Sequence, residues 1–326
     1  MKPRSMEICV IVLLLLVGGG AAPAQPLSIY TIQHTDDPLG ASPYDQQLVD
    51  CKGGIVVKIY QRSIPRLLIQ DPNHPDGWGA IQLKDRYNIT SYFAGLQVGD
   101  YISLKNVHVE DYRGTTFLQL FAVYNPQIAI LSRNNPLTEP LLLDPNQIAA
   151  PVEDGGNFNI ADHDAEKYES MMIRIENVSV RQMGLGKAND NYVLQQPGAP
   201  EVACWAADYI NADRSYFEDY CPEVQIGQKF CILEGMVEQY YNTNEGFDYY
   251  QLLTTRTEDF YLPNRADFDQ SCRINLIDYA FLMQYWMMSG CQDLDGCDGA
   301  DLDENHSVGL GDLRIFSQNW LLKYQN

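Results

Sequence analysis

The chain has 326 residues, 45% of them hydrophobic, and a formal net charge of −21 at pH 7. That length exceeds one core of the usual size and predicts two or three domains, while the composition excludes a disordered chain. The acidity disfavours binding to phosphate backbones unless a local basic groove forms, and no Lys/Arg cluster stands out along the sequence.

Lys2 and Arg4 precede an apolar run over residues 8–17, and small residues follow to Ala22-Pro23-Ala24 before Gln25. This pattern reads as a secretory signal peptide over residues 1–24. The run is short of the roughly 20 apolar residues a membrane span needs, and nothing later approaches that length. The expectation is a secreted or cell-surface protein with no membrane span after cleavage. Beyond Cys9 the chain carries Cys51, Cys204, Cys221, Cys231, Cys272, Cys291 and Cys297. An oxidising compartment predicts disulfides, and seven cysteines leave at least one without a partner in the chain; spacing alone does not give the pairing.

Between Gln25 and Asn264 the signals are of strand: short β-branched and aromatic runs bounded by Gly, Pro, Asn and Asp. Five predicted strands cover residues 53–60, 67–71, 80–83, 101–110 and 115–120, and a second set covers 171–180, 192–195, 202–205, 229–238 and 249–253. Gly99 and Gly227 occupy the same place before the fourth strand of each set, and Val109-Glu110 followed by Tyr112 matches Val237-Glu238 followed by Tyr240. The body therefore reads as two copies of one unit, residues 25–130 and 166–262. A proline-marked linker over 131–165 contains Pro136, Pro140, Pro145 and Pro151. The unit resembles the OB-fold modules of secreted bacterial nucleases, on the strength of Ile69-Gln70-Asp71-Pro72, Val98-Gly99-Asp100 and the stretch 165–180. An immunoglobulin-like sandwich is the competing fold, because short strands do not by themselves report closure.

Residues 264–324 contain an internal repeat at a spacing of thirty-four: Asp267, Asp278 and Trp286 recur as Asp301, Asp312 and Trp320. Each copy is a twelve-residue loop with oxygen donors at positions 1, 3, 5 and 12 and a carbonyl at 7, the arrangement by which a tight loop surrounds a hard cation. Asp267, Asp269, Ser271, Asp278 and the Arg273 carbonyl, with Asn275 direct or through water, are the candidate ligands of a first calcium ion. Asp301, Asp303, Asn305, Asp312 and the Ser307 carbonyl are those of a second. An apolar helical stripe follows each loop. From Asp267 onward ten acidic and three basic residues leave a local charge of −7, which two divalent ions would relieve.

With Asp at position 12 and no helix signal before the first loop, the repeat resembles a dockerin, in particular the cysteine-containing dockerin-like tails of planctomycete-type secreted proteins. The resemblance implies calcium-dependent docking to a cohesin-like or other surface protein, with Leu276-Ile277 and Leu310-Gly311 beside the last ligand facing the partner. Two features depart from the pattern. Position 6, usually glycine, is Cys272 in one copy and His306 in the other, and the common hydroxyl pair beside the last ligand is absent.

The five histidines are scattered, and the trio Asp162-His163-Asp164 and the group Asp71, His74, Asp76 read as polar loops. No GxSxG, P-loop or dinucleotide fingerprint is present, so a non-catalytic chain is expected. The fold class is mainly β with a small α C-terminal module: two OB-like five-stranded barrels, then a dockerin-like pair of calcium loop-helix repeats. The function expected is that of an exported adaptor whose barrels bind carbohydrate or protein, with Tyr60, Trp78, Tyr112, Trp205, Tyr240 and Tyr249 as candidate stacking residues. Nucleic acid is disfavoured by charge. The alternatives are an accessory OB-fold subunit of a secreted nuclease that binds single strands, or an unrecognised secreted hydrolase.

Overall fold

The computed structural model describes residues 25–37, 40–60, 64–85, 92–148, 151–154, 157–160, 164–186, 191–208, 224–242, 244–254, 257–293 and 295–321. The signal segment, Asp162-His163 and Cys221 lie outside the described residues.

A short helix α1 (Ile29–Gln33) leads into β1 (Leu48–Tyr60), β2 (Arg66–Gln70), β3 (Ala80–Lys84), β4 (Tyr101–Tyr112) and β5 (Thr115–Gln119). The strands run β1-β2-β3-β5-β4, and β1 also pairs with β4, which closes the sheet on itself. All pairs are antiparallel except β3 with β5, where Leu83 lies beside Leu118. Closure requires β1 to bend so that one half pairs with β4 and the other with β2, and its register slips between Val49 and Cys51, Cys51 and Gly54, and Val56 and Lys58. At Gly53 (φ 82°) a Cβ would stand 1.7 Å from the Ile102 carbonyl oxygen, so only glycine lets β1 cross β4 at this distance. Inside the barrel Val56, Leu67, Ile69, Ile81, Leu83, Ile102, Leu104, Val109 and Leu118 form one apolar cluster. β6 (Gln127–Ser132) extends the sheet beyond β4.

Residues 133–163 include β7 (Leu141–Leu142) and the hairpin of β8 (Pro151–Asp154) and β9 (Asn157–Ile160). β7 pairs with the next strand and β9 with the last strand of a second closed sheet. That sheet is β10 (Met172–Leu185), β11 (Asn191–Gln196), β12 (Ala199–Asp208), β13 (Lys229–Asn242) and β14 (Phe247–Thr254), in the order β10-β11-β12-β14-β13. β10 pairs with β13, and β12 runs parallel to β14 through Ala206 and Leu252. Both units therefore share one strand order and one parallel contact, the topology of an OB fold. Closure removes the sandwich alternative, in which two open sheets would face each other. β15 (Phe260–Tyr261) adds to β13.

The barrels pack against each other through the outer face of β2 and β3. Sequence alternation puts Leu67, Ile69, Ile81 and Leu83 inward, yet Leu68, Ala80 and Gln82 are also buried, because the second barrel covers them, and Lys84 is buried against Phe117 of its own barrel. Tyr60, Leu68 and Ala80 join the core of the second barrel. Lys58 pairs with Asp259 at 2.8 Å and Arg66 with Glu238 at 2.9 Å. Backbone bonds from Tyr241 N–H to the Arg113 carbonyl (2.7 Å) and from Trp78 N–H to the Lys167 carbonyl (2.6 Å) complete the seam.

After β15 come two loop-helix units, with helices α2 (Leu276–Gln284) and α3 (Leu310–Gln318). Leu282 and Phe316, one from each helix, meet Ile274, Leu302 and Val308 in a small core, with Phe268 stacked on Phe281 at 4.8 Å. Disulfides join Cys231 to Cys272 and Cys291 to Cys297. Cys51 and Cys204 are buried free thiols, and burial pushes both up to about 12, away from reactive thiolate character. Among the described residues no helix is long and apolar enough to cross a membrane.

Candidate metal centres

Each terminal loop is wound around its first and last carboxylates. In the first, Ser271 and Cys272 donate backbone N–H bonds to the two Asp267 oxygens (2.9 and 2.7 Å), while Phe268 and Asn275 donate to those of Asp278 (both 2.8 Å). In the second, Asn305 and His306 donate to Asp301 (3.1 and 2.8 Å), and Leu302 and Gly309 to Asp312 (2.6 and 2.7 Å). The two nets superimpose residue for residue at the spacing of thirty-four. Asp278 and Asp312 each lie in the first turn of a helix, where a carboxylate satisfies orphan N–H groups and complements the helix dipole.

The result is convergence of like charge. Carboxylate oxygens of Asp267, Asp269 and Asp278 all lie within 4.8 Å of one another, as do those of Asp301, Asp303 and Asp312. Asp267, Asp278, Asp301 and Asp312 are buried, whereas Asp269 and Asp303 are exposed at the loop mouths. Burial, then the bond shared with Asp269, lifts the Asp267 carboxyl to about 6. Oxygens around one calcium ion, each about 2.3–2.6 Å from it, stand at most about 5 Å apart. The donor sets fit that ion: hard oxygens, three carboxylates per loop, and spacing of the right order.

The remaining candidates differ in place. The Arg273 carbonyl accepts from Ser271 Oγ and Asn275 Nδ2, both at 3.1 Å, so it faces the polar side chains of its loop. Asn275 is the N-cap of α2, its Oδ1 taken by Ile277 N–H (2.8 Å). Asn305 Oδ1 accepts from Ser307 N–H (2.9 Å) and shares a 2.6 Å bond with its hydroxyl. Leu276, Ile277 and Leu310 are exposed by 71%, 62% and 77%. Gly311 differs from them: a Cβ there would stand 1.9 Å from Asp303 Oδ2, so the missing side chain leaves room for that carboxylate.

Position 6 keeps the backbone that glycine would supply, with φ of 65° at Cys272 and 70° at His306. Left-handed backbone is costly for both residue types, so each must be held there by its surroundings.

The aromatic candidates on the barrels fare otherwise. Tyr60 is 4% exposed within the seam between barrels, and Trp205 and Tyr249 are 5% and 2% exposed in a small outer cluster with Val193. None of these three offers a free ring face: Tyr60 is buried between the barrels, and Trp205 and Tyr249 are buried against each other and their cluster neighbours. Tyr112 is 45% exposed, with Lys84 and Arg113 over its ring. Trp78 is half-buried beside His34, which stacks on Tyr30; Tyr30 stacks in turn on His74. That makes His74 part of an aromatic stack as well as a polar loop.

A buried acidic group without sequence signal lies in the seam. Glu169 accepts from Thr116 N–H (3.0 Å) and Gln33 Nε2 (3.2 Å), and Glu166 accepts from Tyr250 Oη (2.6 Å). Burial first, then Asp111 and Asp248, pushes Glu166 up to about 8, and burial beside Glu166 holds Glu169 well above the usual carboxylate range. In both, burial favours the neutral acid over the carboxylate.

No protein-family model matches the chain, and no curated protein matches it. Among solved structures it is similar to the OB domain of MM0293 from Methanosarcina mazei (22% identity, TM-score 0.22, 27% of this chain and 76% of that one). It is also similar to the tetrameric p202 HIN2 (9%, TM-score 0.28, 64% and 88%) and to fission yeast Pot1 with ssDNA (10%, TM-score 0.26, 64% and 78%). Superpositions this loose do not fix the fold; the strand order and closing pairs of the two barrels do.

Proposed function

We propose that this chain is an exported, non-catalytic adaptor, in which a rigid pair of OB barrels carries a dockerin-like, calcium-loaded module that docks to a cohesin-like or other surface protein. The observation that carries this reading is the doubled convergence of three carboxylates in loops with one hydrogen-bond pattern. Calcium would supply the counter-charge there, with Asp267, Asp269 and Asp278 holding one ion and Asp301, Asp303 and Asp312 the other. The loops and their helices would then present Leu276, Ile277 and Leu310 to the partner. Two disulfides support an oxidising, extracellular setting.

The barrels serve first as scaffold. The outer face of β2 and β3 is filled by the second barrel, so carbohydrate or protein would bind at the surface left open, near Tyr112. The alternative of a nuclease subunit binding single strands is weakened by chemistry: Lys58 and Arg66 are spent on Asp259 and Glu238 in the seam.

Flowing the full chain over immobilised cohesin-type modules, in calcium and then in chelator, tests the docking. Binding that requires calcium and is lost when Leu276, Ile277 and Leu310 become Ala is the expected result. Binding indifferent to both changes counts against the reading.

A further inference from the structure

The first loop is attached to the second barrel twice. The chain leaves β15 at Tyr261 and reaches Asp267 through residues 262–266, and β15 itself pairs with Ile232 and Leu233 of β13. The residue before that pair, Cys231, returns through a disulfide to Cys272. Cys231 and Cys272 are 3% and 9% exposed, so the bond lies inside the contact between barrel and module. Cys272 stands where the loop needs left-handed backbone, and its N–H is the 2.7 Å donor to Asp267 Oδ2. Both sulfurs lie within 4.8 Å of an Asp267 oxygen.

The second loop has no such tie. Its position-6 residue, His306, is exposed, and its carbonyl accepts from Gly290 and Cys291 N–H (2.9 and 3.1 Å). The nearby disulfide, Cys291 to Cys297, stays within the module. One loop is therefore braced from the barrel and the other from the connector between repeats.

Taking the calcium reading above as its basis, we infer that the Cys231–Cys272 disulfide is a positioning element that pre-forms the first cation loop on the wall of the second barrel. It fixes the Asp267 carboxylate and the orientation of the module together. The barrel and the docking surface then move as one body, and the first loop meets its ion already folded. Pre-organisation of this kind raises affinity by removing ordering cost that binding would otherwise bear. The second loop gains nothing from the tie.

The experiment is calcium calorimetry on the full chain in two single-site backgrounds, Asp301→Ala leaving the first loop and Asp267→Ala leaving the second. Adding Cys231→Ala should weaken the first loop about tenfold or more and change the second less than about twofold. The same result is expected for Cys231→Ala/Cys272→Gly, which restores the flexible residue without the tie and leaves no loose thiol at this site. Equal weakening of both loops, no change at the first, or recovery of affinity in the double variant would each overturn the inference. Absence of calcium from both loops of the unmodified chain would overturn the metal reading itself and this inference with it, a result distinct from the other three.

Discussion

In the seam between the barrels, acidic groups taken out of water find their counter-charge within the chain, Asp259 on Lys58 and Glu238 on Arg66, or hold a proton, as Glu166 does. In the terminal module, Asp267, Asp269 and Asp278 converge on one another and on backbone N–H groups, and so do Asp301, Asp303 and Asp312. The barrels thus carry what their folding requires, with two large apolar cores besides, whereas the module pairs a small core with converging carboxylates, for which the proposed counter-charge is a solute cation. Stability of one region should be indifferent to calcium, and that of the other should depend on it.

The largest expected effect breaks that contrast directly. Chelation should abolish the helical circular dichroism of α2 and α3 while the near-ultraviolet signal of the barrels persists. Asp312→Ala should weaken calcium binding at its own loop about a hundredfold or more. Parallel loss of both spectral signals would show that the regions are not distinct in this way.

Next in size is the seam. Lys58→Ala strands a buried Asp259 and should cost about 3–5 kcal/mol in chemical denaturation, with or without calcium. Lys58→Met/Asp259→Leu, which removes both charges, should recover most of it.

A smaller effect follows from Glu166. Below its ordinary value near 4.5 the acid is protonated both folded and unfolded, so it favours neither. As pH rises from there to about 8 the unfolded chain releases the proton and the folded one keeps it, so stability falls across that window. With calcium saturating, Glu166→Gln should flatten the decline and be more stable than the parent at pH 8, by on the order of 1 kcal/mol. A steeper decline in the variant would show that the seam holds this carboxylate ionised.

The smallest change in stability belongs to the docking face. Leu276→Ala or Leu310→Ala should move unfolding by less than about 0.5 kcal/mol, as expected of exposed side chains.

Whatever depends on spacing along the chain was legible beforehand. The five-strand units could be read from β-branched runs such as Ala80-Ile81-Gln82-Leu83, and the carboxylate loops from positions 1, 3 and 12, because both patterns are local. Closure was not, since it rests on β1 meeting β4 and β3 meeting β5 across long intervals. Nothing in the spacing marks Lys58 and Arg66 as buried, yet the second barrel supplies Asp259 and Glu238 to them. The same layering hides Tyr60, and Trp205 and Tyr249 pack into an outer cluster that strand alternation does not announce. The partner of Cys272 lies 41 residues away in another domain, a pairing no spacing rule gives.

Calcium stoichiometry of the full chain, by calorimetry after exhaustive chelation, reaches the central claim most directly. The account predicts two ions per chain, one lost with Asp267→Ala and the other with Asp301→Ala. A chain that binds none, or whose binding survives both changes, contradicts it.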